Sequence, residues 1–368
     1  MNEQRTILSV WESGGNRINN FDVIRFVAAA GVVLSHSFEV TGGLGAFEPL
    51  MALTAGQASL GRVAVLTFFI LSGFLIVKSW RADPNIGRYM IKRGLRIAPA
   101  LWCVVFVSIF LLGPVFTTVS YLAYFVDIET GRYGANAILY TKYFSLPGVF
   151  ENLPLAGVVN GPLWTLKFEV LCYALIACLG LARLLTPMIC LVIIVAAYGV
   201  HGFGGGEEYG GLAYYVFASG DLMRAFFVGA AAAFFAGKIP LEGRLALCAA
   251  LGLCIAGLLG LFDAAFPVLG GYLVFYLGLA STKRLSRFGK YGDFSYGIYV
   301  WGFPIQQIVM AITGVSWWFA NFILAFPLTL VAAWASWRFV ESPSLKLKSR
   351  LLVSRKVHSS NKLTGIGT

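Results

Sequence analysis

Apolar residues fall in long unbroken runs from near residue 21 to near residue 339, parted by short stretches rich in charge, glycine and proline. Each run is about twenty residues long, the length a helix needs to cross a hydrocarbon core of about 30 Å. The runs do not alternate apolar with polar, which excludes the strands of a membrane β-barrel. The pattern predicts an all-α, polytopic integral membrane protein with about ten transmembrane helices. They are placed near 21–41, 62–80, 97–116, 163–182, 186–203, 209–236, 244–261, 264–281, 293–313 and 317–339. The expected organisation is a cytoplasmic tail over 1–20, a membrane domain over 21–341 and a basic cytoplasmic tail over 342–368. The stretch Met1–Asn19 holds no apolar run, so it does not read as a signal peptide.

Composition agrees. Of 368 residues, 58% are hydrophobic and 12% charged, about half the charge of a soluble chain. Mean hydropathy is +0.77. The formal net charge of +11 sorts by loop. With the N-terminus inside, Arg81, Arg88, Lys92, Arg93, Arg96 and most other cations fall on the cytoplasmic side. Arg62, Arg132 and Lys142 face the other side beside Asp127, Glu129, Glu151, Glu207, Glu208 and Asp263. This positive-inside asymmetry accounts for the charge through topology and anionic lipid, with no nucleic acid as partner. All six cysteines lie within apolar runs without paired-ligand spacing, so neither disulfides nor a metal site is expected.

Ionisable groups inside a span are costly and face a bundle interior or a wet cavity, which makes them informative. In the first span Arg25 and His36 are eleven residues apart, close to three full turns, so they share one face roughly 16 Å apart. Asp22 and Glu39 lie three residues from each and are placed to neutralise or orient them. His36 is the one histidine buried within a span; His201 sits near a loop, at the end of the fifth span, and His358 in the tail. Ser72-Gly73 in the second span permits close helix approach, with no base local to Ser72. If helical, the run after it places Arg88, Lys92 and Arg96 in one stripe suited to headgroups or a phosphate-bearing polyanion. Glu169 stands early in the fourth span and requires a partner on another helix. Asp221 and Arg224 form an i,i+3 pair, Asp293 reads as an N-cap, Pro343 stops the last helix and Arg338 can pair with Glu341. The loop near 117–160 is the longest and is placed to fold over the outer mouth of a cavity.

In order along the chain stand Arg25-x10-His36, Phe68-Phe69-x-x-Ser72-Gly73-Phe74, Arg93-x-x-Arg96-x-x-Pro99, Gly161-Pro162-Leu163-Trp164-Thr165-Leu166-x-x-Glu169, Arg224 with Gly229, Ser295-Tyr296-x-x-Tyr299 and Glu341-x-Pro343. Together they resemble the acyltransferase family 3 membrane proteins, which acylate bacterial surface and exported glycans. Two positions depart from the family pattern: Ala64-Val65 replaces Gly-Val, and Lys167 stands where proline is frequent. The resemblance implies an enzyme of the inner (plasma) membrane, and the charge asymmetry places both termini in the cytoplasm. It implies acyl-coenzyme A, usually acetyl-coenzyme A, as donor substrate, with no bound cofactor. The acceptor would be a sugar hydroxyl of a cell-surface or exported polysaccharide or of its lipid-linked precursor. It carries catalytic roles to His36, as general base or acyl carrier, and to Glu169, orienting His36 or assisting proton transfer. Arg25, Arg93 and Arg96 would anchor donor phosphates, and Ser72, Trp164, Tyr296 and Tyr299 would line the site. The rival reading is a transporter whose pathway is lined by Arg25, His36 and Glu169.

Overall fold

Two polar side chains start two of the longest helices. Ser59 Oγ accepts a hydrogen bond from the Arg62 amide at 3.1 Å, and Asn85 Oδ1 accepts one from Arg88 at 3.0 Å. Each satisfies an amide that the first helical turn leaves without a partner. The computed structural model describes residues 5–13, 19–43, 45–140, 142–202, 212–279 and 285–347, with the side chains of 201–218, 286 and 291 left aside. Glu207, Glu208, the His201 side chain, His358 and the basic tail beyond 347 lie outside the described residues.

Ten long helices match the ten predicted runs. They are α1 (Phe21–Gly42), α2 (Leu60–Ala82), α3 (Ile86–Val107), α4 (Leu166–Leu181), α5 (Pro187–Gly202), α6 (Leu212–Phe235), α7 (Gly243–Leu258), α8 (Phe262–Leu279), α9 (Ser295–Thr313) and α10 (Trp318–Ser336). Among the described residues no strand forms. Six helical segments are long and apolar enough to cross a membrane: those of α1, α2, α3, α4, α8 and α10. Length and composition thus support six crossings, and the count of ten is not settled by them. Of the rest, α5 and α7 run 16 residues each, and α6 and α9 carry Asp221, Arg224, Gln306 and Gln307 in their interiors. The chain is a multi-pass membrane protein.

α2 is the central pillar. A Cβ on Gly73 would collide with the Phe226 carbonyl oxygen of α6, and a Cβ on Gly229 with the Ile70 carbonyl oxygen of α2. Reciprocal glycines let the two backbones touch, as the Ser72-Gly73 pair predicted for one side of the crossing. At one end of this crossing, Arg62 and Arg224 meet Asp221 and Asp263. Arg62 Nε donates to Asp263 at 2.9 Å and Arg62 also pairs with Asp221, while Arg224 Nη2 reaches Asp221 at 2.6 Å and Asp263 at 2.7 Å. The predicted Asp221–Arg224 pair is present. Arg62 and Asp263, expected as separate loop charges, instead complete a four-charge cluster joining α2, α6 and α8.

Four sequence expectations change. First, α3 begins at Ile86, eleven residues before the predicted span, so the basic run is the start of the same helix. Second, Pro343 does not stop the last helix. A π-turn at Trp337–Glu341 follows α10, and helix resumes through Leu347. The π-turn breaks the regular i→i−4 ladder where proline lacks its amide. Third, Glu341 turns to Ser336 Oγ at 3.0 Å and towards Arg96, rather than to Arg338. Fourth, the polar N-terminal tail contains a helix, Ile7–Ser13. It docks through backbone bonds from Ile7 to Ile239 and Leu8 to Ala236, and its Trp11 ring packs on Phe21 and Phe74.

The long loop divides in two. Its first part runs beside α3. Its last part packs along α9, where Gln307 Nε2 donates to Leu155 and Val158 carbonyls at 3.0 and 2.7 Å and Asn160 Nδ2 donates to the Val300 carbonyl at 3.0 Å, and its Leu155 clusters with Val40 near the end of α1.

Candidate active site

A cavity of about 410 Å³ opens between α1, α2, α3, α4 and α9. Seven of the nine candidate site residues line it: Arg25, Ser72, Arg93, Arg96, Glu169, Tyr296 and Tyr299. His36 and Trp164 do not. Trp164 packs edge-on against Phe168 at 5.7 Å.

One part of the cavity is cationic. Arg96 Nη2 bonds Asp293 at 2.5 Å, and Arg25 lies 3.7 Å from the same carboxylate and 3.9 Å from Asp22. Asp293 also accepts from the Ser295 amide at 3.2 Å, although the N-cap of α9 is Phe294, one residue later than the cap read from sequence. Its link to two arginines was not legible, since they come from other helices. Arg93 differs: among the described residues no carboxylate lies within ion-pair distance. Its Nη2 reaches Ser79 at 3.4 Å, its Nε is buried without a partner, and its guanidinium lies over the Tyr89 and Tyr173 rings at 5.9 and 5.8 Å. The predicted stripe is split: Lys92 lines the cavity, but Arg88 and Lys92 both hold Asp83 at its rim. Hydrogen bonds from Arg88 and then Lys92 hold the Asp83 carboxyl well below the usual carboxylate range.

Deeper in the cavity Glu169 accepts from the Ser72 hydroxyl at 3.4 Å and from the Tyr173 hydroxyl. Glu169 thus finds its interhelical partner on α2, 97 positions away in sequence. Tyr173 was missed although it follows Glu169 by one helical turn, a spacing that puts both on one face. Tyr296 donates to the Ile97 carbonyl at 2.8 Å. Tyr299 donates to the Pro162 carbonyl at 2.8 Å and meets the Thr165 hydroxyl at 2.6 Å, tying α9 to the turn that opens α4.

His36 lies further along the Arg25 face of α1. Its Nδ1 stands 3.2 Å from Glu39 Oε2, and its ring meets the Phe303 ring edge-on at 5.3 Å. The carboxylate beside His36 is therefore Glu39, one of the two neighbours the spacing offered, while Glu169 is engaged with Ser72 and Tyr173. Between Arg25 and His36, Ala28 and Val32 pack in a buried cluster with Ala64, Leu163, Tyr299 and Val300. The site thus has two stations. One is a cationic cavity with a carboxylate–hydroxyl cluster, and the other is a histidine–carboxylate pair, with an apolar layer between.

The acyltransferase domain family matches residues 18–338. The chain belongs to acyltransferase family 3. It is a membrane acyltransferase. It is 28% identical over 373 residues to nodulation protein 10 of Rhizobium leguminosarum bv. viciae, covering 93% of this chain and 97% of that protein. It is 27% identical over 345 residues to the O-acetyl transferase of Shigella phage Sf6, covering 91% of this chain and 98% of that one. No solved structure matches it significantly.

Proposed function

We propose that this acyltransferase moves an acetyl group from acetyl-coenzyme A to a sugar hydroxyl of a cell-surface or exported polysaccharide, or of its lipid-linked precursor. It would act in the cell's inner membrane, with both termini cytoplasmic. The name of the phage relative supports acetyl as the group and oxygen as the acceptor atom. The observation that carries the reading is the cavity lined by Arg25, Lys92, Arg93 and Arg96 against only two carboxylates, Glu169 and Asp293. A surplus of fixed cations lining one cavity suits the phosphates of a coenzyme A thioester. The donor's slender arm would extend along α1 towards His36.

At that end Glu39 orients the imidazole. With the Nδ1 proton directed at Glu39, Nε2 is the acceptor for the proton of an incoming sugar hydroxyl. The hydroxyl oxygen attacks the thioester carbonyl, the carbon–sulfur bond breaks, and the proton held by His36 passes to the leaving thiolate or to solvent. Glu169, Ser72 and Tyr173 form the polar wall past which the donor arm runs. Mass spectrometry of surface and exported polysaccharide from a deletion strain tests the reading. An acetyl-sized increment should disappear and return with the wild-type gene. Unchanged acylation in the deletion strain would refute it.

Among the cavity's three arginines, Arg93 alone has no carboxylate within ion-pair distance among the described residues, so its charge is the least neutralised. Arg93→Ala should raise the KM for acetyl-coenzyme A about tenfold, the loss of one charge-assisted hydrogen bond, with acceptor KM unchanged. Initial rates against donor concentration in washed membranes decide this. An unchanged donor KM would leave Arg93 with a topological role only.

A further inference from the structure

The first part of the long loop carries an apolar face that no part of the described chain covers. Ser120 Oγ caps a short helix, Tyr121–Val126, through the Ala123 amide at 3.3 Å, and Asp127 caps the next, Ile128–Gly134, through the Glu129 amide at 2.8 Å. One side is fixed to α3 and its continuation. The Tyr124 hydroxyl donates to the Ile109 carbonyl at 2.9 Å, and its ring sits where a Cβ on Gly113 would otherwise be. Thr130 Oγ1 donates to the Tyr124 carbonyl at 2.6 Å. The Trp102 indole donates to the Ala137 carbonyl at 2.9 Å, so the segment lies along several turns of α3 rather than standing away from it.

The other side is bare. Leu122 is 76% exposed, Val126 72% and Ile138 79%, with Tyr121 and Ile128 also exposed. Water is a poor environment for so much apolar surface on a segment of fewer than twenty residues, at roughly 25 cal/mol per Å². The patch also has a direction of continuation. Phe125 stacks on Phe110 at 6.1 Å, and Phe110 meets Phe106 at 4.6 Å. Phe106 and Phe110 belong to the outward face of the membrane-crossing segment Ile86–Phe116. The bare side of the loop therefore extends the lipid-facing belt of α3, and the exposed Tyr121 ring adds an amphipathic group of the kind that settles at a membrane interface. The ion pair Glu129–Arg132, 2.5 Å long and half-exposed, marks the wet edge of the same segment.

We propose that residues 121–138 are an interfacial anchor, its Leu122–Val126–Ile128 side embedded among the acyl chains of the leaflet at that end of α3. The occupant of the face is lipid. Short helices with one apolar and one charged edge bind membranes this way, and attachment to α3 removes most of the entropic cost. The proposal stands apart from the acyl-transfer reading, since it concerns only where this loop lies. It also accounts for the loop's division: the segment over 150–160 packs along α9, while this one spreads sideways.

Thiol accessibility tests it. Leu122→Cys, Val126→Cys and Glu129→Cys are each purified and placed in nanodiscs of phosphatidylcholine and phosphatidylglycerol. A membrane-impermeant maleimide is then added, and the parent chain with its six native cysteines supplies the background. Maleimide needs a hydrated thiolate, so thiols among acyl chains should react at least about tenfold more slowly than Glu129→Cys and catch up after unfolding in SDS. Two substitutions on the apolar side keep the test valid if one fails to fold. Labelling of both as fast as Glu129→Cys would overturn the proposal. So would protection in native membranes that is lost in pure lipid nanodiscs, which would identify a protein partner as the cover.

Discussion

Replacing His36 by alanine is expected to lower acyl transfer about 10²–10⁴-fold, the usual cost of removing a general base, with membrane insertion unchanged. The side chain is 22% exposed and makes one ring contact, with Phe303 of α9, and one hydrogen bond, with Glu39 of its own helix, so its loss leaves no large void. The rest of that contact is held independently. Gln306 Nε2 donates to the Val33 carbonyl at 2.8 Å and to Ser37 Oγ at 2.7 Å. Glu39→Gln should fall between wild type and His36→Ala. The amide can still meet the ring, but it can present its NH₂ group and favour the wrong tautomer, and it no longer supports an imidazolium. The measurement is acceptor-dependent release of thiol from acetyl-coenzyme A in membranes of matched protein content. More than about a tenth of wild-type activity in His36→Ala would remove the histidine from the chemistry.

Arg224→Ala is expected to destabilise the fold by about 3–5 kcal/mol, because it leaves a carboxylate uncompensated in a buried site. Arg224 is fully buried and its Nη2 serves both Asp221 and Asp263, with its guanidinium over the Tyr198 ring at 4.9 Å. Arg62, the cluster's other cation, is partly exposed and cannot neutralise two carboxylates alone. The thermal midpoint of the detergent-solubilised protein should drop by roughly 5–10 °C. Removing Asp221 as well should recover part of the loss, since the excess negative charge goes with it. A shift under about 1 °C in the single variant would mean that the cluster is screened by water and carries little energy.

The sequence exposed whatever repeats along a single helix. The eleven-residue spacing of Arg25 and His36, the neighbours Asp22 and Glu39, the Asp221–Arg224 pair and the runs that become α1 to α10 are all periodicity read in one dimension. The seven lining residues were chosen through their order along the chain and the family it resembles, and they do converge on one cavity. What was hidden depends on which helices touch. Asp293 meets Arg96 across 197 positions, and Glu169 meets Ser72 across 97, so neither pairing has a local signal. The same holds for the pairing of Arg62 and Asp263 with Asp221 and Arg224. Boundaries were misread where one atom decides them: the Asn85 side chain starts α3 early, and a π-turn carries the last helix through Pro343.

The central claim is that donor and acceptor use opposite ends of one path, the phosphates beside Arg93 and Arg96 and the hydroxyl beside His36. Protein reconstituted in one orientation in sealed vesicles tests it most directly. Acetyl-coenzyme A is supplied only on the side of Asp83, Arg88 and Lys92, and acceptor glycan is confined to the other. The account predicts acetylated glycan on the far side, with one thiol released on the donor side for each acetyl group transferred. Acetylation that requires donor and acceptor on the same side of the membrane would contradict it.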